Sequence, residues 1–397
     1  MSVSPTPGRA ETSQNSSQEQ HSVADPKVYL DDPRFSQSFT IPPGPNRSEP
    51  LTVTYSDFGY RNPDQPEREH VLLFCGPLMC TRFLHAAKDK LAKKYHVRII
   101  HPDRPGIGGT TKADSQYRLE TWLEIVPALL RHLDIAHVSI ACHSAGTLYA
   151  LHTLLHLRHL LHPERPYVAF CAPWILPSHS GVQTMKMTTA LPAAVMRQFD
   201  GLARFVHSTV GPVVGFSGNL FQSVSSSAGS AKHPPVPGAD ADMVEYEDAL
   251  MPRIIDRAYA ESVQGMSQEI PLLFKKCGAG PRPDADAWGP WGDLDKYVPM
   301  LAAGDMDAGS ASSSNQQGSV KLEVDAFFSE QDHMIGTSSG PEWFRQCWNS
   351  EGRGDKIEFH SHVVDRAEHD NILDLRFGVA ERIFQNISDI NQVGENR

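Results

Sequence analysis

The sequence predicts an α/β protein, a mostly parallel central sheet flanked by helices and carrying a helical cap inserted late in the chain. Three observations predict it. From Leu51 onward, short apolar runs alternate with amphipathic segments, the pattern of strand and helix in turn. The alternation stops after "CAPWILP" and resumes near Lys321, leaving about 140 residues without an obvious strand. At 397 residues the chain exceeds the usual single-domain size, which fits two domains or one large domain with an insertion.

The elements follow in order. Residues 1–27 are Ser, Gln, Pro and Glu with hardly a hydrophobe, a composition that buries too little surface to fold, so a disordered tail is expected. A first part of the core, 28–175, holds expected strands at 51–55, 71–74, 97–100, 138–141 and 168–170. Between them Trp122, Val126, Leu129, Leu130 and Leu133 recur at one helical face. The cap, 176–300, has its clearest signal in "EYEDALMPRIIDRAYAESVQGMSQEIPLLFKK", read as one or two helices, preceded by the loop "SVSSSAGSAKHPPVPGADAD". Its methionines, Met185, Met187, Met196 and Met266, read as adaptable packing. A flexible low-complexity loop spans 301–320. The second part of the core, 321–397, holds expected strands at 322–327 and 357–359.

Composition narrows the function. Lys and Arg number 36 against 47 Asp and Glu, a net charge of -11, which repels nucleic acid and anionic lipid surfaces. The first 20 residues lack a signal-peptide apolar core, and no apolar run is long enough to span a membrane, so a cytoplasmic protein without a transmembrane segment is expected. Six cysteines without a CxxC pair read as reduced, buried thiols. His152, His156 and His159 fall at helical spacing, but no carboxylate or Cys in that run completes a ligand set, so they read as a polar helix face and no metal is expected. No Gly-rich loop suits a nucleotide, and no cofactor is expected.

One short stretch carries chemistry. In "IACHSAGTLYAL" a strand-like run meets a helical pattern at Cys142-His143-Ser144-Ala145-Gly146. A serine on such a turn projects its hydroxyl from the edge of the sheet, and the Ala145 N–H at the helix start can meet a developing oxyanion. Asp103, on the turn after a strand, reads as structural.

Five stretches now resemble the α/β-hydrolase superfamily, of the kind with a lid inserted before the last strands. "VLLFCGPLMCTR" resembles its oxyanion loop and "VRIIHPDRPGIGGT" its Asp-Arg-Pro-Gly-x-Gly stretch. "HVSIACHSAGTLYAL" resembles its nucleophile elbow, and "DAFFSEQDHMIG" with "DRAEHDNIL" resembles its acid and histidine loops. The resemblance covers roughly 50–175 and 320–390 and keeps the order Ser, acid, His. It implies a nucleophile at Ser144, an acid at Asp332 rather than Glu330, and a general base at His369. Two departures stand out. Cys142 replaces the usual first glycine, and Cys75-Gly76-Pro77 stands where the family has a His-Gly pair whose next residue donates an N–H. Proline has none, so Leu78 is the expected second donor beside Ala145. The function so implied is a cofactor-free serine hydrolase of the carboxylesterase, lipase or thioesterase kind, taking an apolar small-molecule acyl substrate under a cap whose "LPAAVM", "FVHSTVGPVVGF" and "IPLLF" line the channel. The alternatives are a weak or inactive small-molecule binding protein on the same fold, or an amide or C–C bond hydrolase.

Overall fold

The computed structural model describes residues 25–44, 47–78, 80–198, 233–277, 288, 293–303 and 320–392. Most of the expected tail and low-complexity loop, and "FVHSTVGPVVGF", lie outside the described residues.

Eight strands form one sheet: β1 (Gln37–Ile41), β2 (Leu51–Gly59), β3 (His70–Cys75), β4 (Val97–Pro102), β5 (Ser139–Ser144), β6 (Tyr167–Pro173), β7 (Leu322–Gln331) and β8 (Ile357–Glu368). Their order is β1-β2-β4-β3-β5-β6-β7-β8. Only β2 runs against its neighbours, β1 and β4; from β4 to β8 every pairing is parallel. All seven expected strands are present. The eighth, β1, went unseen because "QSFTI" is an edge strand with three polar residues, whose few apolar contacts leave no clear run. β8 runs well past 359 because pairing with β7 holds its "HSHVVDRAE" half, whose side chains mostly reach solvent.

The central strands are buried on both faces, as parallel strands between helix layers must be. Alternation divides them cleanly. Leu73, Ile140, Cys142, Val168 and Phe170 pack into the core of one face, while Leu72, Phe74, Ala141, Ala169 and Cys171 pack into the other. Helix α1 (Arg118–His132) places Trp122, Val126, Leu129 and Leu130 on the first face, as its periodicity predicts. Helix α2 (Gly146–His156) follows β5 and is buried nearly all round. It ends at His156, so His159 sits in a separate turn; His152 is buried, which corrects the expectation of a polar face for it. All six cysteines are buried, and none is joined in a disulfide among the described residues.

Within the insertion every described element is helical. Asp240 caps α3 (Ala241–Ala260) by accepting from the Met243 N–H, and the helix buries Met243, Val244, Glu247, Leu250 and Ile254 along one stripe. α4 (Gly265–Leu273) is buried on most sides. α5 (Leu294–Ala303) packs toward α2, and α6 (Val379–Gln392) closes the second face of the sheet. Met185, Met196 and Met266 are buried as expected, whereas Met187 is exposed. Acidic residues of the insertion meet basic residues of the core: Glu247 with Lys88 at 2.8 Å, Glu261 with Arg82 at 2.7 Å, and Glu269 with Arg104 at 2.8 Å. Burying any one of these charges alone would be costly, so each pair ties the insertion to a particular docking on the sheet.

Candidate active site

The strand order reverses around β3, whose neighbours β4 and β5 lead away in opposite directions. In open α/β sheets ligands bind beside the C-terminal strand ends at such a point, and Ser144 ends β5 there. Its φ is 50°, a left-handed conformation that non-glycine residues rarely adopt. The β5–β6 register shifts between His143 and Ser144, so the chain turns sharply into α2. Gly146 is required by this turn: a Cβ there would lie 2.0 Å from the Cys75 carbonyl oxygen.

Three residues distant in sequence meet at this edge. Ser144 Oγ lies 2.8 Å from His369 Nε2, and His369 Nδ1 lies 2.7 Å from Asp332 Oδ2. All three are buried. The second oxygen of Asp332 accepts from the Met334 and Ile335 N–H groups, each at 2.8 Å. Burial favours the neutral carboxyl, but the facing imidazole and these donors outweigh it and hold Asp332 below the usual carboxylate range. For His369, burial pulls downward and the Asp332 charge wins, holding the imidazole above its ordinary value. Glu330, the rival acid, is exposed and accepts from the Arg366 N–H.

His143 also contacts the site, and no motif in the sequence marks it. Its Nε2–H donates to the His369 carbonyl at 2.7 Å, fixing the loop that presents the imidazole. Burial, then the neighbouring His369, push its pKa down to about 3, so it stays neutral and keeps one N–H for that bond. Adjacency to Ser144 was the one signal available; nothing in the sequence couples 143 to 369. Asp103 is structural, accepting from the Arg82 backbone, the Arg82 side chain and Thr54.

A cavity of ≈ 160 Å³ opens at Ser144. Leu78 and Leu84 from the core and Met251, Ile254, Ile255 and Ala258 from α3 form its apolar wall. For the two expected stretches within the described residues this corrects the lining. "IPLLF" instead packs inward, with Leu272 and Leu273 in the core, and residues 191–196 do not reach the cavity wall. At the loop after β3, the Pro77 carbonyl accepts from Arg104 Nη2 at 2.6 Å. The Leu78 N–H has no acceptor among the described residues. Among the described residues no three metal-ligating side chains gather, and no helix is long and apolar enough to cross a membrane.

The model of the Alpha/beta hydrolase family matches residues 75–374, which takes in the serine turn, the insertion and the His369 loop. The chain belongs to this family. Its membership supports a hydrolase activity, and no curated protein matches the chain in sequence. Solved structures share the fold of this family member at low identity. A thermophilic esterase from Thermogutta terrifontis aligns with TM-score 0.50 and 14% identity over 90% of this chain and 98% of its own. A membrane phospholipase A described as a bacterial virulence factor aligns with TM-score 0.52 and 13% identity over 92% of each. The enol-lactonase from Burkholderia xenovorans LB400 aligns with TM-score 0.49 and 14% identity over 86% of this chain and 97% of its own.

Proposed function

We propose that the chain is a serine hydrolase that cleaves a carboxylic ester or thioester through an acyl-enzyme on Ser144. The observation that carries the reading is the unbroken hydrogen-bonded line from Ser144 Oγ through His369 to Asp332, at 2.8 and 2.7 Å. His369 Nε2 takes the hydroxyl proton as Oγ attacks the carbonyl carbon, then returns it to the leaving group; water repeats the cycle to release the acid. Asp332 holds Nδ1 protonated, leaving Nε2 free to accept, and stabilises the imidazolium. A carbonyl oxygen that becomes negative meets the Ala145 N–H at the start of α2 and the Leu78 N–H across the cavity. Pro77 supplies no N–H, and the unengaged Leu78 N–H supports the reading that the donor has moved on by one residue. The apolar wall from α3 supports an apolar acyl group.

The test is a fluorophosphonate probe on the intact protein. Labelling is expected on Ser144, and Ser144→Ala should abolish both labelling and ester turnover with an unchanged thermal midpoint. Labelling that persists in the variant would refute the assignment.

A further inference from the structure

Arg104 and Glu269 are buried beside the site and take no part in the proton path. Arg104 follows β4. Its guanidinium donates to three successive carbonyls of the loop after β3: Gly76 through Nη1, and Pro77 and Leu78 through Nη2 at 2.6 and 3.0 Å. Its Nε and Nη2 also reach the Glu269 carboxylate at 2.8 and 3.1 Å. Glu269 comes from α4 of the insertion and is fully buried. Arg118 Nη2 lies 3.5 Å from the same carboxylate, with its Nε on the Tyr149 hydroxyl at 3.2 Å.

We propose that Glu269, acting through Arg104, is a positioning residue for the Leu78 N–H, so that docking of the insertion completes the oxyanion site as well as roofing it. This rests on the ester-hydrolysis reading above. The reason lies in the peptide plane. The Pro77–Leu78 bond is trans, so its carbonyl and N–H point opposite ways. With the Pro77 carbonyl held on Arg104, the Leu78 N–H is turned away from Arg104, and Leu78 lines the cavity together with Ser144. Three converging carbonyls repel one another unless a cation gathers them, and the rigid five-donor fork of arginine fits that task where a lysine ammonium does not. A buried guanidinium in turn needs a buried counter-charge. Glu269 supplies it from a helix 165 residues away in the chain.

The experiment uses the full chain and two ligands with one carbon skeleton. A trifluoromethyl ketone forms a bond from Ser144 Oγ to its carbonyl carbon, the carbonyl electron pair becoming the oxyanion and the hydroxyl proton passing to His369. The matching secondary alcohol fills the cavity without an oxyanion. In Glu269→Gln, kcat on p-nitrophenyl butyrate and affinity for the ketone should fall together by about 10²-fold, with KM and alcohol affinity within about threefold of wild type. Arg104→Lys should lose at least as much. A folded variant of either kind whose kcat and ketone affinity stay near wild type would overturn the proposal. So would equal losses for both ligands, which would make Glu269 packing alone. Should both variants fail to fold, hydrogen exchange on the wild type decides: peptides 76–84 and 265–273 should be protected together and slow together when the ketone binds. Free exchange of 76–84 beside a protected 265–273 would overturn the proposal. A wild type that neither labels on Ser144 nor binds the ketone refutes the ester reading itself, whereas normal labelling with an indifferent Glu269→Gln refutes only the positioning role.

Discussion

Replacing Asp332 by asparagine probes the proposed proton path at its least forgiving point. Asp332 divides its two oxygens: Oδ1 accepts from the Met334 and Ile335 N–H groups, and Oδ2 faces His369 Nδ1 at 2.7 Å. In Asp332→Asn the single remaining oxygen stays with the two backbone donors, because an amide NH₂ there would leave both unpaired. The NH₂ then turns toward His369 and can only donate. Nδ1 must accept, so the proton moves to Nε2, where it blocks uptake of the Ser144 proton. The packing around both side chains is unchanged. A wrong-tautomer substitution of this kind in a serine-protease triad costs on the order of 10⁴ in kcat, equivalent to about 5 kcal/mol of activation free energy. Losing the carboxylate also removes the charge that holds His369 above its ordinary pKa. The assay is kcat and kcat/KM on a p-nitrophenyl ester from pH 5 to 10, beside Glu330→Gln, whose exposed carboxylate accepts from the Arg366 N–H. Glu330→Gln should stay within about twofold of wild type, as surface substitutions do. A loss under tenfold in Asp332→Asn, or the reverse ranking of the two variants, would refute the assignment.

Further predictions concern pH and substrate. Wild-type kcat/KM should rise with pH as His369 becomes neutral, with a midpoint above 6.5 because the Asp332 charge outweighs the burial that would lower it; a midpoint at or below 6.5 contradicts the electrostatics. The depressed Asp332 pKa contributes stability that is fully present above pH 3.8 and is lost as pH falls through the lower folded value, so Asp332→Asn should show less acid destabilisation in thermal melts. For substrate choice, kcat/KM over p-nitrophenyl esters from C2 to C12 should climb by about fourfold per methylene, from about 0.8 kcal/mol per buried CH₂, until the cavity is filled. Ile254→Asp in the α3 wall should flatten that climb. A flat wild-type profile would place specificity elsewhere.

Much of the sheet was legible because buried parallel strands are unbroken apolar runs, as "VLLFC", "VRIIHP" and "YVAFCAP" are. The edge strands were harder to read. β1 escaped and β8 was cut short because side chains that meet solvent carry no hydrophobic run, and strand pairing alone sustains them. The cavity wall was assigned to the most hydrophobic stretches of the insertion, yet such stretches are the first to be taken by the core. "IPLLF" went inward, and α3, with apolar residues on more than one side, was left to face Ser144.

The sequence by itself determined the α/β layering and the serine turn, and offered His369 and Asp332, with Glu330 as the rival acid, as residues that could meet there. Each is a local matter: apolar periodicity, a small residue where a Cβ would strike the Cys75 carbonyl, a polar residue just past a strand. Only the tertiary structure decided the partners. It put Asp332 rather than Glu330 on His369, set His143 on the His369 carbonyl, and brought Glu269 to Arg104 across 165 residues. A buried charge or hydrogen-bonding group must find a partner, but which partner depends on where the folded chain places them, and that leaves no local pattern in the sequence.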